Sequence, residues 1–549
     1  MSENLIAAIG NSIKSNWDIP SLADYNGKSF TYGEVARRIA HIHLLFEAAG
    51  VKPGDRVALC AKNSAEWACT FLAGITFGAI VVPLLHEFHV DNVAHLVTHS
   101  EARLLFTDQQ IAVNLDMEKM PLVKAVITLD NFKTVHSNDK AIDEAAASLD
   151  CLFQQRYPKG FTSADLHYIT PAQDQTALIN YTSGSAGYSK GVILTYGNLW
   201  ANIDFALRQI PFLRHGDGML SMLPLAHMYG LAFEFLFPFC KGCHITFLGR
   251  VPSPKVVLEA FAQVRPQLVI TVPLVIEKIV KTRVFPEIRK PGIRVLTGLP
   301  GIRHIIFGKV RKQLLQAFGG ELKELVMGGA ALPAEVEDFL RLIKFPFTIG
   351  YGMTECAPLI TYEWWRTQKP RSVGRLVDGM EARIDSPDLR RVPGVLYIKG
   401  PNVMKGYFKN EQATRDALTD DGWLNTGDIC TIDSEGYLYI RGREKSMILG
   451  SSGQNIYPEE IEVILNDLPL VSESIVVDRK GKLVAIVHPD YDTARRQGFD
   501  EAQTDRKVRQ LLPVLNQKLP GYSRVSEIEI KPDEFEHTPK HSIRRFIYK

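Results

Sequence analysis

The regular alternation of short apolar runs with longer amphipathic segments is the feature that most constrains the fold of this chain. Apolar runs of strand length stand at residues 56–60, 79–83, 104–107 and 125–128, and again at 245–248, 268–272 and 325–327. Between the runs, helical spacing places residues such as Val35, Ile39, Ile42 and Leu45 on one face. Strands that alternate with helices predict α/β units with parallel sheets.

From about residue 371 the pattern changes to short strands and glycine-marked turns, which predicts a small β-rich subdomain at 371–444. The polar stretch 441–446 is the best candidate for an interdomain joint. Beyond it, Pro458 suits a first helical position, and a strand pair near 480–481 and a helix near 504–519 follow. We predict an N-terminal domain at 1–444, with two α/β subdomains and the β-rich one, and an α/β C-terminal domain at 445–549.

The charge balance and the apolar pattern exclude several classes of protein. The formal charge of +2 comes from 63 basic and 61 acidic residues, so no strong field for nucleic acid is present. Residues 67–85 are nearly all apolar but contain Gly74, Gly78 and Pro83, which favours a buried helix and strand over a membrane span. The first residues lack the pattern of a secretory signal, and seven cysteines fit reduced thiols, so we expect a cytoplasmic protein.

The segment 180–195, NYTSGSAGYSKGVILT, is a candidate phosphate-binding loop between two predicted strands. Glycines let backbone N–H groups converge on one point, hydroxyls add donors, and a lysine adds positive charge. The spacing is not that of a Walker loop, because Ser189 precedes Lys190. A flexible Gly/Ser turn is the alternative. The candidate residues are Thr182, Ser183, Gly184, Ser185, Gly187 and Lys190.

Two further glycine-containing loops carry residues suited to a nucleotide. In GYGMTE, Tyr351 can stack on a base, Thr354 can donate to phosphate, and Glu355 can hold Mg²⁺. In NTGD, Asp428 stands on a predicted turn and can accept both hydroxyls of a ribose, with Arg443 as a further donor. Each motif alone is more often a solvated turn. Their combination and order predict a site for ATP.

In this order the motifs resemble the adenylate-forming superfamily, which comprises acyl-CoA synthetases, firefly luciferases and peptide-synthetase adenylation domains. The resemblance covers nearly the whole chain and rests on YTSGSAGYSKG, LPLAHMYG, GGAAL, GYGMTE, GWLNTGD, RGREKSMI and TPKHSIRR. The segments LPLAHMYGLAFEFLFPF, PQLVITVPLVIEKI and GYSRVSEIEI look most like those of long-chain fatty acyl-CoA ligases. Four phenylalanines between 233 and 239 provide either an apolar setting for an acyl chain or plain core.

The resemblance implies a two-step reaction with ATP, Mg²⁺ and coenzyme A. A fatty carboxylate attacks the α-phosphate of ATP to give acyl-AMP and pyrophosphate. A mobile C-terminal domain then swings, and the CoA thiol displaces AMP. An ionised carboxylate needs no general base, so the first step requires alignment of two anions and neutralisation of charge. Lys190, Thr354 and Glu355 are suited to that task.

The resemblance also implies roles for residues whose spacing alone says little. They are Gly329, Ala330 and Ala331 along adenine and carboxylate; Tyr351 and Gly352 at adenine; Asp428 and Arg443 at ribose; His227 as a gate of the acyl pocket, with Met228 beside it; and Lys445 as hinge. A histidine among apolar residues is more often a packed core residue, so the alternative is that His227 belongs to the core and does not gate the pocket.

The chain departs from the family pattern at two places. Ala186 and Ser189 replace the usual hydroxyl and proline of the phosphate loop. In the last motif, the usual lysine that stabilises the adenylation transition state is Ser542. We predict that Lys540 substitutes for it, with Arg544 as the alternative cation.

The predicted function is ATP-dependent activation of a fatty acid and its transfer to CoA. Two alternatives remain open: an acyl-AMP ligase that loads an acyl carrier protein, and a non-catalytic relative that binds a nucleotide or acyl group. The first would be favoured by an inserted segment that restrains the C-terminal domain, and none is recognisable. Acyl chain length, oligomeric state and peripheral membrane association through the substrate are left open.

Overall fold

The computed structural model describes residues 4–182, 190–250, 253–297, 300–449, 455–479, 481–537 and 543–548, and for residues 294, 297, 300, 455 and 522 the backbone only. Four of the candidate loop residues, Ser183, Gly184, Ser185 and Gly187, and the candidate cation Lys540 lie outside these ranges.

The first part of the chain ends at the candidate phosphate loop. It contains α1 (Leu5–Ser15), β1 (Pro20–Asp24), β2 (Ser29–Thr31), α2 (Tyr32–Ala48), β3 (Arg56–Cys60), α3 (Ala65–Phe77), β4 (Ile80–Leu84), α4 (Val90–Ser100), β5 (Leu104–Thr107), α5 (Gln109–Ala112), β6 (Ala125–Thr128), β7 (Thr134–Ser137), α6 (Lys140–Ala147), α7 (Leu149–Arg156) and β8 (Thr176–Thr182).

The second part contains β9 (Lys190–Thr195), α8 (Tyr196–Gln209), β10 (Gly218–Ser221), α9 (Met228–Gly230), a π-helical segment (Leu231–Leu236), α10 (Phe237–Lys241), β11 (His244–Phe247), α11 (Pro254–Val264), β12 (Leu268–Thr271), α12 (Pro273–Ile279), a second π-helical segment (Val280–Val284), α13 (Phe285–Ile288), α14 (Pro291–Thr297), α15 (Pro300–Ala317), β13 (Glu324–Met327), α16 (Ala334–Leu342) and β14 (Phe347–Ile349).

The third part contains β15 (Tyr351–Gly352), a 3₁₀ turn (Thr354–Cys356), β16 (Leu359–Tyr362), β17 (Arg375–Leu376), β18 (Glu381–Asp385), β19 (Gly394–Lys399), β20 (Gly406–Tyr407), α17 (Glu411–Ala417), β21 (Leu424–Ile432), β22 (Leu438–Arg443), a 3₁₀ turn (Glu444–Ser446), β23 (Ile448–Leu449), β24 (Asn455–Ile456), α18 (Pro458–Asn466), β25 (Val471–Arg479), β26 (Lys482–Pro489), α19 (Tyr491–Arg496), α20 (Glu501–Arg509), α21 (Leu512–Lys518) and β27 (Glu527–Ile530).

The predicted parallel sheets form the framework of the molecule. The largest sheet has the strand order β20-β9-β8-β4-β3-β5-β6-β7, and its centre from β8 to β6 is parallel. A second sheet joins β10, β11 and β1 in parallel and adds β2 antiparallel, and β12, β13 and β14 form a third, parallel sheet. Helices cover these sheets, which confirms the mixed α/β fold.

The β-rich part is an antiparallel sheet of order β18-β19-β21-β22, and its apolar residues join the core of the first α/β part. Beyond residue 447, a separate apolar cluster is built from β24, α18, β25, β26, α20, α21 and β27. This cluster agrees with a C-terminal unit that has its own core. The boundary at 444/445 itself stays a prediction.

Local sequence signals place several element ends correctly. Ser64 and Thr195 cap α3 and α8 through their side chains, as polar residues before an apolar periodic run predict. The segment 67–85 forms the buried helix α3 and strand β4, as predicted. In the described part of the chain, no helix combines the length and apolar composition that crossing a bilayer requires.

Three local predictions are wrong in detail. The predicted turn at 425–428 lies inside β21, where Gly427 has a φ of 66° and the pairing with β19 shifts register. The first half of the predicted joint, 441–443, is the end of β22. The predicted helix at 504–519 is two helices, α20 and α21, because Pro513 is incompatible with a helix interior.

Candidate active site

Lys190 and Thr182 stand where β8 and β9 flank the candidate phosphate loop, and the two residues pair across its base. The Lys190 ammonium lies over the ring of Tyr407, 4.8 Å from the ring centroid. Tyr407 belongs to β20, which pairs antiparallel with β9 at the edge of the large sheet. A cation held at the rim of a glycine-rich loop can neutralise phosphate charge.

Tyr407 links this lysine to Glu355. The Tyr407 hydroxyl donates to Glu355 Oε1 over 2.8 Å. The backbone carbonyl of Glu355 accepts from the N–H of Met404 over 2.8 Å, so the segment that leads into β20 is fixed to the turn that carries the carboxylate. Burial and the nearby Glu355 charge raise the pKa of Tyr407, which keeps its hydroxyl a donor.

The Glu355 carboxylate fits a magnesium ion that arrives with a nucleotide. Its Oε1 is engaged by Tyr407, while no hydrogen-bond partner is seen for Oε2 within the described residues. Mg²⁺ prefers oxygen ligands and is usually held by one or two carboxylates together with substrate phosphates and water. When bound, the ion would neutralise phosphate charge beside Lys190.

Asp428 forms a second polar centre through β21 and β22. Its Oδ2 accepts from the Tyr351 hydroxyl over 2.6 Å, and its Oδ1 lies 3.1 Å from Arg443 Nε. Burial raises the pKa of Asp428, and the Arg443 charge and the Tyr351 hydrogen bond oppose that rise. The Asp428 side chain is 8% exposed and that of Arg443 is 72% exposed, so the arginine can move to meet a ligand.

The bulge in β21 explains why Asp428 can point into the site from within a strand. Asn425 Oδ1 accepts from the N–H of Gly427 over 2.8 Å, and Thr426 Oγ1 accepts from that of Asp428 over 3.1 Å. These bonds fold the backbone outward, and Gly427 adopts a left-handed conformation that favours glycine. The NTGD motif therefore specifies a strand bulge instead of a turn.

The segment from Tyr351 to Glu355 joins the two centres. Tyr351 reaches Asp428 and Glu355 reaches Tyr407, so a single short segment connects the two polar centres. Gly352 has a packing reason to lack a side chain, since a Cβ there would lie 2.1 Å from the carbonyl oxygen of Pro358. Thr354 is buried at the start of the 3₁₀ turn.

Three exposed residues, Gly329, Ala330 and Ala331, follow β13. Gly329 has a φ of 86°, and a Cβ built there would meet no atom within 4 Å. The ring of Tyr229 packs against the adjacent Gly328, and the Tyr229 hydroxyl donates to the carbonyl of Val326 over 3.2 Å. The helix that follows His227 therefore touches the strand end that carries the GGAA motif.

The loop that leads to His227 is held by buried polar side chains. Glu234 Oε2 accepts from the N–H groups of Met222 (3.0 Å) and Leu223 (2.8 Å) and from the Ser221 hydroxyl (3.0 Å). Asn63 adds two hydrogen bonds to the same loop, one to the carbonyl of Leu223 and one from the N–H of Leu225. Burial raises the pKa of Glu234 to about 8, and its three hydrogen bonds oppose that rise.

His227 is half-buried at the start of α9, and Met228 is buried. The phenylalanines at 235, 237 and 239 are fully buried, and Phe235 packs edge-on against Phe71 and Phe247. These three rings are therefore core residues. The proposed acyl-pocket roles of His227 and Met228 stay predictions.

Lys445 lies exposed in the 3₁₀ turn directly after Arg443, which ends β22. Its hinge role stays a prediction. Near the chain end, Arg545 pairs with Glu462, and Arg544 Nη1 lies 3.8 Å from Glu536 Oε2.

Tyr407 and Glu234 are site residues that the sequence reasoning missed. Tyr407 stands in the short run KGYF, which carries no recognisable motif and gains its role only when β20 pairs with β9. Glu234 offered a usable signal, because it is the one charged residue in the apolar run 230–239. A charge in such a run needs buried partners.

Comparison with known proteins places the chain among nucleotide-binding enzymes. Residues 11–408 match the family described as AMP-binding enzyme. The long-chain-fatty-acid–CoA ligase FadD15 of Mycobacterium bovis is 31% identical over 84% of this chain and 77% of its own length. The feruloyl-CoA synthase of an Amycolatopsis species is 30% identical over 92% of this chain and 90% of its own. The crystal structure of ATP-bound MatB from Rhodopseudomonas palustris superposes with a TM-score of 0.77 at 24% identity, covering 100% of this chain and 98% of that one.

Proposed function

The chain belongs to the AMP-binding enzyme family, and from this premise we propose that it is an ATP- and Mg²⁺-dependent acid–CoA ligase whose acid is a fatty acid. The observation that carries the proposal is the pair of linked polar centres in the structure. One runs from Lys190 through Tyr407 to Glu355, and the other joins Tyr351, Asp428 and Arg443.

The two centres suit the two ends of ATP. Asp428 has further lone pairs for the hydroxyls of a ribose, and Arg443 is exposed enough to donate to ribose or phosphate. Lys190 and the Glu355 carboxylate, with its magnesium ion, suit the phosphates. The exposed residues Gly329, Ala330 and Ala331 are proposed to line adenine and the acid's carboxylate.

The proposed first step needs no base from the protein. An ionised carboxylate attacks the α-phosphorus, the bond to the bridging oxygen of pyrophosphate breaks, and acyl-AMP forms. The protein aligns the two anions and neutralises the charge that gathers between them. In the second step the thiol of CoA attacks the acyl carbon, loses its proton, and displaces AMP. Thr354, Lys190 and Lys540 are proposed to stabilise charge in the first step.

A fatty acid is proposed as the substrate because two kinds of observation favour it. The FadD15 relative acts, by its name, on long-chain fatty acids. The residues from Met228 to Phe233, directly after His227, carry no charge. Aromatic acids are the second candidate, because another relative is a feruloyl-CoA synthase.

The test scores the two half-reactions separately over a panel of acids. Purified protein with ATP, Mg²⁺ and CoA receives one acid at a time: saturated fatty acids of increasing length, oleate, ferulate or benzoate. Pyrophosphate release and CoA-thioester formation are measured for each acid. We expect both products with one range of fatty acids. Faster turnover of ferulate than of every fatty acid would refute the fatty-acid assignment alone. Absence of pyrophosphate release with all the acids would refute the ligase assignment.

A second acceptor belongs in the same assay. Replacing CoA by an acyl carrier protein with its phosphopantetheine arm distinguishes the CoA ligase from a ligase that loads carrier proteins. Thioester formation with the carrier protein and not with CoA would overturn the proposed acceptor while leaving the adenylation step in place.

A further inference from the structure

The segment around α12 to α15 is strongly basic. Between residues 278 and 312 the chain has ten Lys or Arg residues and one acidic residue, Glu287, although the formal charge of the whole chain is only +2. The rest of the chain is therefore acidic on balance. Charge this unevenly distributed indicates an electrostatic partner for one part of the surface.

The same segment exposes large apolar side chains. Val295 and Leu296 of α14 are 72% and 42% exposed, and Ile302 and Ile305 of α15 are 36% and 74% exposed. Val295 and Ile305 are the most exposed large apolar residues in the described part of the chain. The two helices follow one another and approach each other where they meet. The four residues lie within eleven residues of sequence, and we take them together as one exposed apolar patch. Scattered exposed apolar residues need no explanation, but such a patch does.

Helical spacing gives α15 one side that faces the core and one that faces solvent. Val310, Leu314 and Phe318 pack into the apolar core, as does Phe307. Ile302, Ile305, Lys309 and Lys312 are spaced by three, four and three residues and share the opposite, exposed stripe. The stripe is apolar in its first half and basic in its second.

Several of these positive charges are available for a partner. Lys281, Arg289 and Lys290 are occupied by ion pairs with Glu277, Glu335 and Glu287. For Lys309 and Lys312, no ion pair is seen with any residue that the structure describes. The Arg303 guanidinium lies 5.5 Å from the centroid of the Phe307 ring, so it belongs to the other side of α15 from Lys309 and Lys312.

We propose that this basic–apolar surface, formed by Val295, Leu296, Ile302, Ile305, Lys309 and Lys312, docks on an anionic lipid bilayer. The apolar side chains enter the boundary between headgroups and acyl chains, and the basic side chains contact lipid phosphates. A nucleic acid would use the charges but leave the four apolar residues in water. A second copy of the chain would bring two basic surfaces together. The bilayer is the partner that uses both features.

The surface is separate from the proposed catalytic residues, so its test measures binding in the absence of ATP, CoA and any acid. The full chain is sedimented with vesicles of phosphatidylcholine, or with vesicles in which phosphatidylglycerol replaces about a third of that lipid. We expect binding to the anionic vesicles, weakened by salt, and little binding to the neutral ones.

Two double variants examine the two halves of the surface. Lys309→Gln with Lys312→Gln should weaken binding to anionic vesicles about tenfold, because each basic residue near such a surface contributes to binding. Val295→Ser with Ile305→Ser should weaken it to a similar extent of roughly tenfold, because insertion of apolar side chains is lost.

Matched controls change exposed residues elsewhere. Lys14→Gln with Lys518→Gln removes two exposed charges, and Val113→Ser with Leu122→Ser removes two exposed apolar residues. Both controls should bind vesicles as the unchanged chain does. Circular dichroism verifies the fold of every variant.

Three results would overturn the proposal. The first is that the unchanged chain does not bind anionic vesicles. The second is that the control variants weaken vesicle binding as much as the variants of the proposed surface do. The third is binding to a DNA duplex as tightly as to anionic vesicles, with no effect of Val295→Ser and Ile305→Ser on either. That outcome would show attraction to any polyanion. None of these results bears on the ligase activity, which the acid panel measures independently.

Discussion

At the scale of single residues, the charge on Glu355 offers the most direct test of the proposed chemistry. Glu355 Oε1 accepts from the Tyr407 hydroxyl, and a glutamine oxygen can take its place in that bond. Glu355→Gln therefore keeps the shape and removes the charge that a hard divalent cation requires. We expect pyrophosphate release to fall by about 10²-fold with the fold intact.

Glu324→Gln is the matched control for that change. Glu324 is buried where Glu355 is half-buried, and it too accepts from a tyrosine hydroxyl, that of Tyr362, over 2.7 Å. It stands at the other end of β13 from Gly329. Its replacement should leave pyrophosphate release within about twofold. Near-normal release by Glu355→Gln would show that Glu355 does not hold the magnesium ion.

The cation of the last motif is the second question at this scale. Arg545 pairs with Glu462 and lies 3.7 Å from Glu459, and Arg544 lies near Glu536, so both arginines have acidic partners within the C-terminal unit. These pairs favour Lys540 as the substitute for the usual lysine at the position of Ser542.

Lys540→Ala should lower acyl-AMP formation by about 10²-fold, because a positive charge beside the α-phosphate stabilises the transition state. Thioester formation from preformed acyl-AMP should change little. Both rates are measured in single turnovers. Ser542→Lys is the companion variant. If Lys540→Ala has no effect and Ser542→Lys strongly raises acyl-AMP formation, Lys540 does not replace the usual lysine.

At the scale of elements, the strands and helices that were predicted correctly are those specified by local sequence. β3 and β5 are the apolar runs at 56–60 and 104–107, and α2 buries the face that the helical spacing of Val35, Ile39, Ile42 and Leu45 predicts. The polar residues of the site were predictable where a motif carried them, as for Glu355 and Asp428. Tyr407 was not, because its contacts with Lys190 and Glu355 join segments more than fifty residues apart in sequence.

The loop before α9 depends on Glu234, which the sequence reasoning did not assign. Its carboxyl has a pKa of about 8 in the folded chain, against an ordinary value of 4.5, chiefly because of burial. The folded state therefore holds a proton that the unfolded state releases, and stability falls as the pH rises from about 5 to 8. Above that window the contribution is constant.

Glu234→Gln removes this titration and keeps an oxygen that can accept from Met222 and Leu223. We expect the melting temperature of the variant to rise relative to that of the unchanged chain between about pH 5 and pH 8, and the difference to level off above. Thermal unfolding measured across this range is the test. A constant difference between the melting temperatures of the variant and of the unchanged chain at every pH would mean that Glu234 does not bind a proton on folding.

At the scale of the whole molecule, the C-terminal unit contacts the N-terminal part of the chain through polar side chains. Arg441 Nη1 in β22 lies 3.9 Å from Glu460 Oε1 in α18, and Glu459 packs against Gly442. Burial raises the pKa of Asp467 in the C-terminal unit, and the Lys281 charge opposes that rise. An exposed ion pair and a few polar contacts contribute little free energy, so they allow the unit to leave this position.

The proposed swing gives the last prediction, which concerns Lys445. Proline is tolerated in the first turn of a helix, and Lys445 is the second residue of the turn Glu444–Ser446. Lys445→Pro fixes φ at this position without breaking the turn. If the unit must rotate between the half-reactions, acyl-AMP formation should be preserved while thioester formation falls by roughly tenfold or more.

Lys445→Ala is the matched control, because it removes the same side chain and leaves the backbone free to rotate. It should retain both half-reactions, which assigns any loss in Lys445→Pro to the backbone. Equal loss of both half-reactions in Lys445→Pro would indicate damage to the site itself, since Arg443 is two residues away and pairs with Asp428. Full retention of both would show that the chain does not rotate at Lys445.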